Sequence, residues 1–274
     1  MRLSVRHRTT YRFDRPQQRI VQLARLQPDG SAGQTILAWD VSVDRDARLS
    51  PSRDGYGNNL LMLYVDGPVD ALTVEVRGEA LTQDMAGVVG AAPETLPPAA
   101  FLRPSDLTRP DPAIRSLAAH AGHAGPGALD RLHALTRALA ARLRFDAGDM
   151  DVGRTAAEAL ERGHGVCQDF AHLFVAAARV MDVPARYVSG HLFRRDGAAE
   201  QTAAHAWAEA WVDGLGWIGF DPANGICPDD AYLRVAVGLD YREAAPLSGA
   251  RVGGGAERLD VAVSVVQAGA QSQS

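Results

Sequence analysis

Lysine is missing from this chain altogether: its 28 basic residues are all arginine, set against 33 Asp and Glu for a formal net charge of -5. A chain of this composition has no side-chain amine of its own, which excludes self-cross-linking through lysine. The acidic balance also argues against nucleic acid or an anionic membrane surface as a partner. Cysteine is scarce, with only Cys167 and Cys227, too few for a disulfide framework, so Cys227 reads as a packed or loop thiol. No apolar run approaches the roughly 20 residues needed to cross a bilayer. The opening MRLSVRHRTTYRFDRP alternates polar and apolar residues with no hydrophobic core of a signal peptide, and the expected location is the cytoplasm.

What is present is enough chain for two cores, 274 residues. From Leu3 to about Met85 short alternating runs are separated by Pro28-Asp29-Gly30, Asp54 to Asn58 and Asp66-Gly67-Pro68. The expected strands are 3–13, 20–27, 34–44, 59–65 and 71–81, in an antiparallel β-sandwich. A Pro/Ala/Gly-rich stretch over 86–112 cannot hold a regular element for long and marks a boundary. Helices are expected over 114–120 and 129–143, the latter with Leu132, Leu135, Leu139 and Leu143 on one face. A capping box of Thr155 and Glu158 starts a third. Tyr232 to Val237 and Leu259 to Val266 read as strands, Gly249 to Gly255 as a flexible loop, and Gln267 to Ser274 as a disordered tail. The expected division is 1–90 β-rich, 91–112 connector, 113–247 α+β core, and 248–274 loop, returning strand and tail.

Chemistry concentrates in one stretch, GHGVCQDFAHLF over 163–174. After the glycines, Phe170, Phe174, Ala177, Ala178 and Met181 recur at three- and four-residue steps, which predicts a helix with one buried face that stops before Pro184. Cys167 falls in its first turn, where unpaired N–H groups and the positive end of the dipole favour a thiolate over a thiol. The upstream glycines are expected to keep it open to a substrate. A lone cysteine at a helix start is more often inert core. A second segment changes that balance: Ala203 to Val212 alternates, a glycine turn follows, and Trp217 to Phe220 returns. Such a hairpin sets His205 beside Asp221, sixteen positions apart, so that one could take the thiol proton and the other orient the ring.

The blocks GHGVCQDFAHLF, PARYVSGHLF and AHAWAEAWVDGLGWIGFDPANG, in that order, resemble the transglutaminase-like superfamily, in particular its bacterial branch with a β-rich N-terminal domain. The resemblance implies a papain-like α+β core with Cys167 as nucleophile, His205 as general base and acid, and Asp221 as orienting carboxylate. It also implies a peptide or protein substrate and no cofactor. Superfamily members include cross-linking enzymes, thiol peptidases and amidases, and some that have lost activity. The reading favoured here is a cysteine peptidase or amidase. Hydrolysis needs only water, whereas transfer needs a positioned second amine that outcompetes the solvent. Protein-glutamine amine transfer and a catalytically silent peptide-binding module are the alternatives.

The backbone N–H of Cys167 is one expected oxyanion donor. The second is unassigned, either an N–H of the 146–154 loop or a side chain elsewhere. Gln168 could line the cleft or face solvent, and Trp207 could wall the cleft beside His205, while Trp211 and Trp217 read as core. His164 and His172 flank Cys167 without the second close-spaced ligand pair that zinc requires, so no metal is expected. Asp169, in the first turn, reads as a backbone cap.

Overall fold

The computed structural model describes residues 1–92 and 94–269. The chain opens with β1 (Arg2–Ala24), β2 (Gln34–Val43), β3 (Arg48–Arg53) and β4 (Asn59–Thr82), passes a 3-10 turn at Pro98–Leu102, and enters α1 (Pro112–Gly122) and α2 (Ala128–Arg142). There follow β5 (Arg144–Phe145), α3 (Ala156–Arg162), β6 (His164–Gly165), α4 (Cys167–Val180), β7 (Ala185–Leu192) and β8 (Glu200–Gln201). The last elements are β9 (His205–Val212), β10 (Gly216–Phe220), β11 (Tyr232–Gly238), α5 (Tyr241–Ala244), β12 (Leu247–Val252) and β13 (Glu257–Gln267).

The N-terminal strands alternate buried and exposed residues, as strands with one face on a core must. β1 and β4 pair antiparallel from Arg2↔Leu81 to Arg12↔Ala71, and again, after register shifts around Gln17, from Arg19↔Asp66 to Ala24↔Leu61. On one side of the shifts β2 extends β4 and β13 extends β1; on the other, β3 and β12 take those places. The irregularity folds the sheet onto itself, so Ile20, Ala24, Leu63 and Val65 share a core with Tyr11, Leu72, Val74 and Val76. The antiparallel sandwich is thus a single bent sheet.

Four expected strands are therefore two: 3–13 and 20–27 join in β1, and 59–65 and 71–81 join in β4 straight through Asp66-Gly67-Pro68. Bulges absorb the turn-forming residues while pairing resumes beyond them. Gly249 to Val252, expected as loop, belongs to β12. A Cβ at position 249 would lie 2.1 Å from the Val21 carbonyl oxygen, so glycine is what lets β12 close on β1. β3 is exposed along its whole length and offers no alternation to read. The expected strand over 259–266 is β13, and it pairs with β1 from Leu3↔Gln267 to Phe13↔Glu257. Most of the expected tail, 270–274, lies outside the described residues.

The second sheet is antiparallel with order β10-β9-β7-β11. α4 lies on it, and Leu132, Leu135 and Leu139 of α2, Phe170 and Phe174 of α4, and Ala208, Ala210 and Phe220 of the sheet form one core with α1 and α3. Each large apolar side chain buried there stabilises the fold by about 1.5–3 kcal/mol. α4 is buried on every side from Gln168 to Arg179, not on one face as its periodicity predicts, because the sheet, α1, α2 and α3 surround it.

The stretch 86–112 forms only the 3-10 turn, yet it packs closely. Val88 bridges to Ile218 of β10, Phe101 meets Trp217 edge-on, and Glu94 grips the buried Arg186 at 2.8 and 3.0 Å. The two sheets touch through Leu3, Val5 and Val263 against Leu233 and Val235. No helix among the described residues is long and apolar enough to cross a membrane.

Candidate active site

α3 begins with the capping box its sequence predicts: the Thr155 N–H donates to Glu158 at 2.9 Å and the Glu158 N–H to Thr155 Oγ1 at 3.3 Å. Gly163 ends it in the left-handed region at φ 70°. β6 then pairs in parallel with β5 and leads straight to Cys167, the first residue of α4. The N-cap is Val166, which has no side-chain acceptor, so Asp169 takes over: its Oδ2 accepts the Val166 N–H at 2.8 Å. Arg154 Nη1 donates to the same oxygen at 3.2 Å. Burial pushes the Asp169 carboxyl up, against the pull of the Val166 N–H and of Arg154.

A Cβ at position 165 would sit 2.4 Å from Asp169 Oδ2. Gly165 is buried and makes room for this cap; it does not serve to open the site to solvent. Asp169 is structural, as its first-turn position predicts.

The hairpin of β9 and β10 pairs Phe220 with Ala208 and Gly216 with Val212. Its open end carries His205 at the head of β9 and Asp221 just past β10. The imidazole Nε2–H donates to Asp221 Oδ2 at 2.7 Å. That oxygen also accepts the Asn224 side-chain N–H at 2.7 Å and the Tyr232 hydroxyl at 2.8 Å. Oδ1 accepts the backbone N–H groups of Ala223 at 3.0 Å and Asn224 at 3.2 Å. Asp221 is wholly buried yet receives five donors. Burial alone would push its carboxyl up, but the charge of His205 and the bonds from His205, Tyr232 and Asn224 hold it below the usual carboxylate range.

Burial by itself would lower His205. The Asp221 carboxylate outweighs that, together with the charge and hydrogen bond of Cys167, and raises the imidazole to about 10. With Nε2 on Asp221, Nδ1 is the nitrogen left to face the thiol. Cys167 packs against the cluster of Ala171, Tyr187, Ala206 and Ala244, which brings it to the strand that begins with His205, and so to the His205–Asp221 pair. Cys167 is half-buried, and its N–H lies in the first turn of α4, among donors with no acceptor inside the helix.

Trp207 is buried and stacks beside His205, with ring centroids 6.1 Å apart, and meets Tyr232 edge-on at 5.4 Å. It supports the imidazole from the sheet. Gln168 is buried rather than solvent-facing, and its amide donates to the Asp151 carbonyl at 3.4 Å, which ties α4 to the 146–154 loop. His164 pairs with Asp149 at 3.0 Å, and His172 is buried with its Nε2 accepting the Tyr241 N–H at 3.0 Å. Neither joins a group of three ligating side chains among the described residues. Trp217 is core, stacked under Arg186 at 3.8 Å. Burial pushes the Cys227 thiol up.

Sequence reasoning missed Tyr232 and Asn224 as partners of Asp221, and Arg154 as the link between loop and helix. Asn224 had a local signal, since Asp-Pro-Ala-Asn is an Asx-turn sequence whose side chain bonds the backbone two and three residues on. Tyr232 had none, because nothing in the spacing of β11 says that its hydroxyl ends at Asp221.

The family model of the transglutaminase-like superfamily matches residues 115–222, a span that holds Cys167, His205 and Asp221, and that of the bacterial transglutaminase-like N-terminal region matches residues 3–80. An uncharacterised protein of Mycobacterium leprae is 31% identical over 279 residues, covering 97% of this chain and 99% of its own. One of Mycobacterium bovis is 31% identical over 283 residues, covering 90% and 87%. The crystal structure of a "putative cysteine protease" from Cytophaga hutchinsonii superposes with a TM-score of 0.78 at 21% identity, over 99% of this chain and 92% of that one. The likeness to the Cytophaga protein is one of fold, along nearly the whole of this chain. With both parts matched in order and a relative 31% identical along nearly its whole length, the chain belongs to the transglutaminase-like superfamily.

Proposed function

We propose that this protein catalyses thiol-dependent acyl transfer on peptide or isopeptide amides, with water as the usual acceptor: a cysteine peptidase or amidase. The observation that carries the reading is the 2.7 Å bond between His205, whose side chain is 10% exposed, and the fully buried Asp221, beside the nucleophile-bearing helix. In this reading Cys167 gives its proton to His205, and the sulfur attacks the amide carbonyl. The N–H of Cys167 donates to the oxyanion. As the tetrahedral adduct collapses the C–N bond breaks, and His205 returns its proton to the departing amine, leaving a thioester on Cys167. Water then gives a proton to His205, its oxygen attacks the thioester, and the carboxylic acid leaves as the thiol is restored. The raised basicity of the imidazole suits it to hold the proton between steps, and Asp221 keeps it turned toward the sulfur.

The acceptor is tested by offering glutamine-containing peptides with and without a primary amine. Acid or ammonia release that is the same in both arms is the expected result. Amine incorporation that outpaces hydrolysis at millimolar acceptor would reassign the protein to protein-glutamine amine transfer. No turnover in either arm would leave a peptide-binding module.

A further inference from the structure

The two oxygens of Asp221 are held differently. Oδ1 accepts the backbone N–H groups of Ala223 and Asn224 at 3.0 and 3.2 Å, and these fix the carboxylate from its own turn. Oδ2, on which His205 Nε2 lies at 2.7 Å, takes two further donors, Asn224 Nδ2 at 2.7 Å and the Tyr232 hydroxyl at 2.8 Å. The direction of the last bond follows from its neighbours. Asn224 Nδ2 also donates to the Tyr232 oxygen, at 3.3 Å, and an ionised carboxylate only accepts, so the single phenolic hydrogen points at Asp221.

Tyr232 is delivered to this oxygen by the sheet. It is the first residue of β11, paired with Leu192 of β7, and its ring centroid lies 5.8 Å from that of His205 and 5.4 Å from that of Trp207. Its bond to Asp221 is buried, where a hydrogen bond to a charge is little screened by solvent. The charged groups that face the imidazole are Asp221, just past β10, and Cys167 of α4. β7 brings only the Gly190 backbone against His205. Glu209, further along β9, is taken up by Arg186 at 2.7 Å and Arg234 at 2.8 Å.

A donor that shares an oxygen with the imidazole competes for that oxygen's charge. Asp221 raises His205, and a bond to Oδ2 from elsewhere spreads the carboxylate charge and weakens that pull. We propose that Tyr232 is a positioning residue of the relay, whose hydroxyl draws charge from Asp221 Oδ2 and so keeps the His205 imidazolium acidic enough to hand its proton to the departing amine. This rests on the acyl-transfer reading and adds to it a residue that acts through Asp221. A simple anchor would leave the opposite signature: a carboxylate freed of its anchor turns away, and His205 falls toward the value of a free imidazole, about 6.5.

The test titrates His205 by nitrogen-15 NMR in the full chain with Cys167→Ala, so that no thiol titrates beside it, and uses His205→Gln to identify its signal. Tyr232→Phe keeps the ring and is expected to raise the imidazole pKa by about 0.5 or more, the scale of one hydrogen bond. Tyr232→3-fluorotyrosine, a stronger donor of nearly the same shape, is expected to lower it. Tyr64→Phe, whose hydroxyl lies on the N-terminal sheet 3.8 Å from Met62 Sδ, should leave it in place. With Cys167 intact, Tyr232→Phe should lower kcat about threefold or more at constant KM, because a more basic imidazole makes a weaker acid. An unmoved pKa, a fall toward the free-imidazole value in Tyr232→Phe, or a raised pKa with unchanged kcat overturns the proposal. If Tyr232→Phe does not fold, the fluorotyrosine protein decides alone, and a rise or no shift there overturns it. If both shifts appear while the wild-type protein turns over no peptide, the hold of Tyr232 on the pair stands and the acyl-transfer reading falls.

Discussion

Asp221 shows how much can rest on one side chain. Its two oxygens receive five donors from His205, Asn224, Tyr232 and the turn backbone. It therefore stays ionised while buried, and one of those donors is the His205 imidazole. Asp221→Asn removes the charge but keeps the shape. Turnover is expected to fall by orders of magnitude with folding and peptide binding retained, as in the serine-protease triad, where the same exchange costs about 10⁴. Asp213→Asn, at the exposed hairpin turn where the carboxylate accepts the Trp211 indole N–H, should stay within about 0.5 kcal/mol in stability. The pH dependence carries the sign of the pair. His205 is raised from 6.5 to about 10, so the stability it contributes is complete below 6.5 and is lost as pH rises through 10. Thermal melts should show wild type and Asp221→Asn further apart at pH 6.5 than at pH 10.5; equal gaps would mean that the imidazole is not held by the carboxylate. At this scale the sequence was legible where motif and turn chemistry are local: Cys167 at a helix start, His205 and Asp221 across a hairpin, Asp169 as a cap. The Tyr232 hydroxyl was not legible, because it arrives from a strand whose position is settled only by the sheet.

At the scale of elements, α1 to α4 were legible, while the one-turn α5, the 3-10 turn at Pro98–Leu102 and the strand ends were not. The period of Leu132, Leu135 and Leu139 is set by one buried face, and α2 forms as it predicts. Strand breaks follow from pairing, and β1 and β4 run through turn-forming residues because their partners continue. α4 hides a second device. Arg179, buried in its last turn, donates to the carbonyls of Phe101, Ala185 and Leu239 and to Thr108 Oγ1. With no carboxylate in this set, burial lowers it to about 10. It fastens the helix that carries Cys167 to the connector and to β7. Arg179→Met keeps the apolar stem but strands these acceptors, and urea melts should show a loss of about 3 kcal/mol or more. A loss within about 0.5 kcal/mol would mean that the carbonyls find other partners.

Across the whole molecule, the order of the chain builds the site from both ends. β1 is the spine of the bent sheet, and β13 returns after the α+β core to pair along it, so the N-terminal sheet is complete only when the last strand arrives. The return of the final strand was legible from its alternation; its destination was not, since pairing between residues 3 and 267 leaves no trace in spacing. Where the sheets meet, His7 and His191 lie edge to face at 5.4 Å, both buried, and burial lowers them to about 4 and about 3. They are neutral at ordinary pH and form part of the packing. The central claim is that Cys167, served by His205 and Asp221, forms an acyl-enzyme. It is tested most directly by rapid acid quench with a peptide ester or amide, followed by mass spectrometry of the digested protein. The expected result is an acyl mass increment on the peptide containing Cys167, absent from the one containing Cys227 and accumulating less in Asp221→Asn. No increment at Cys167, or equal increments on both cysteines, would contradict it.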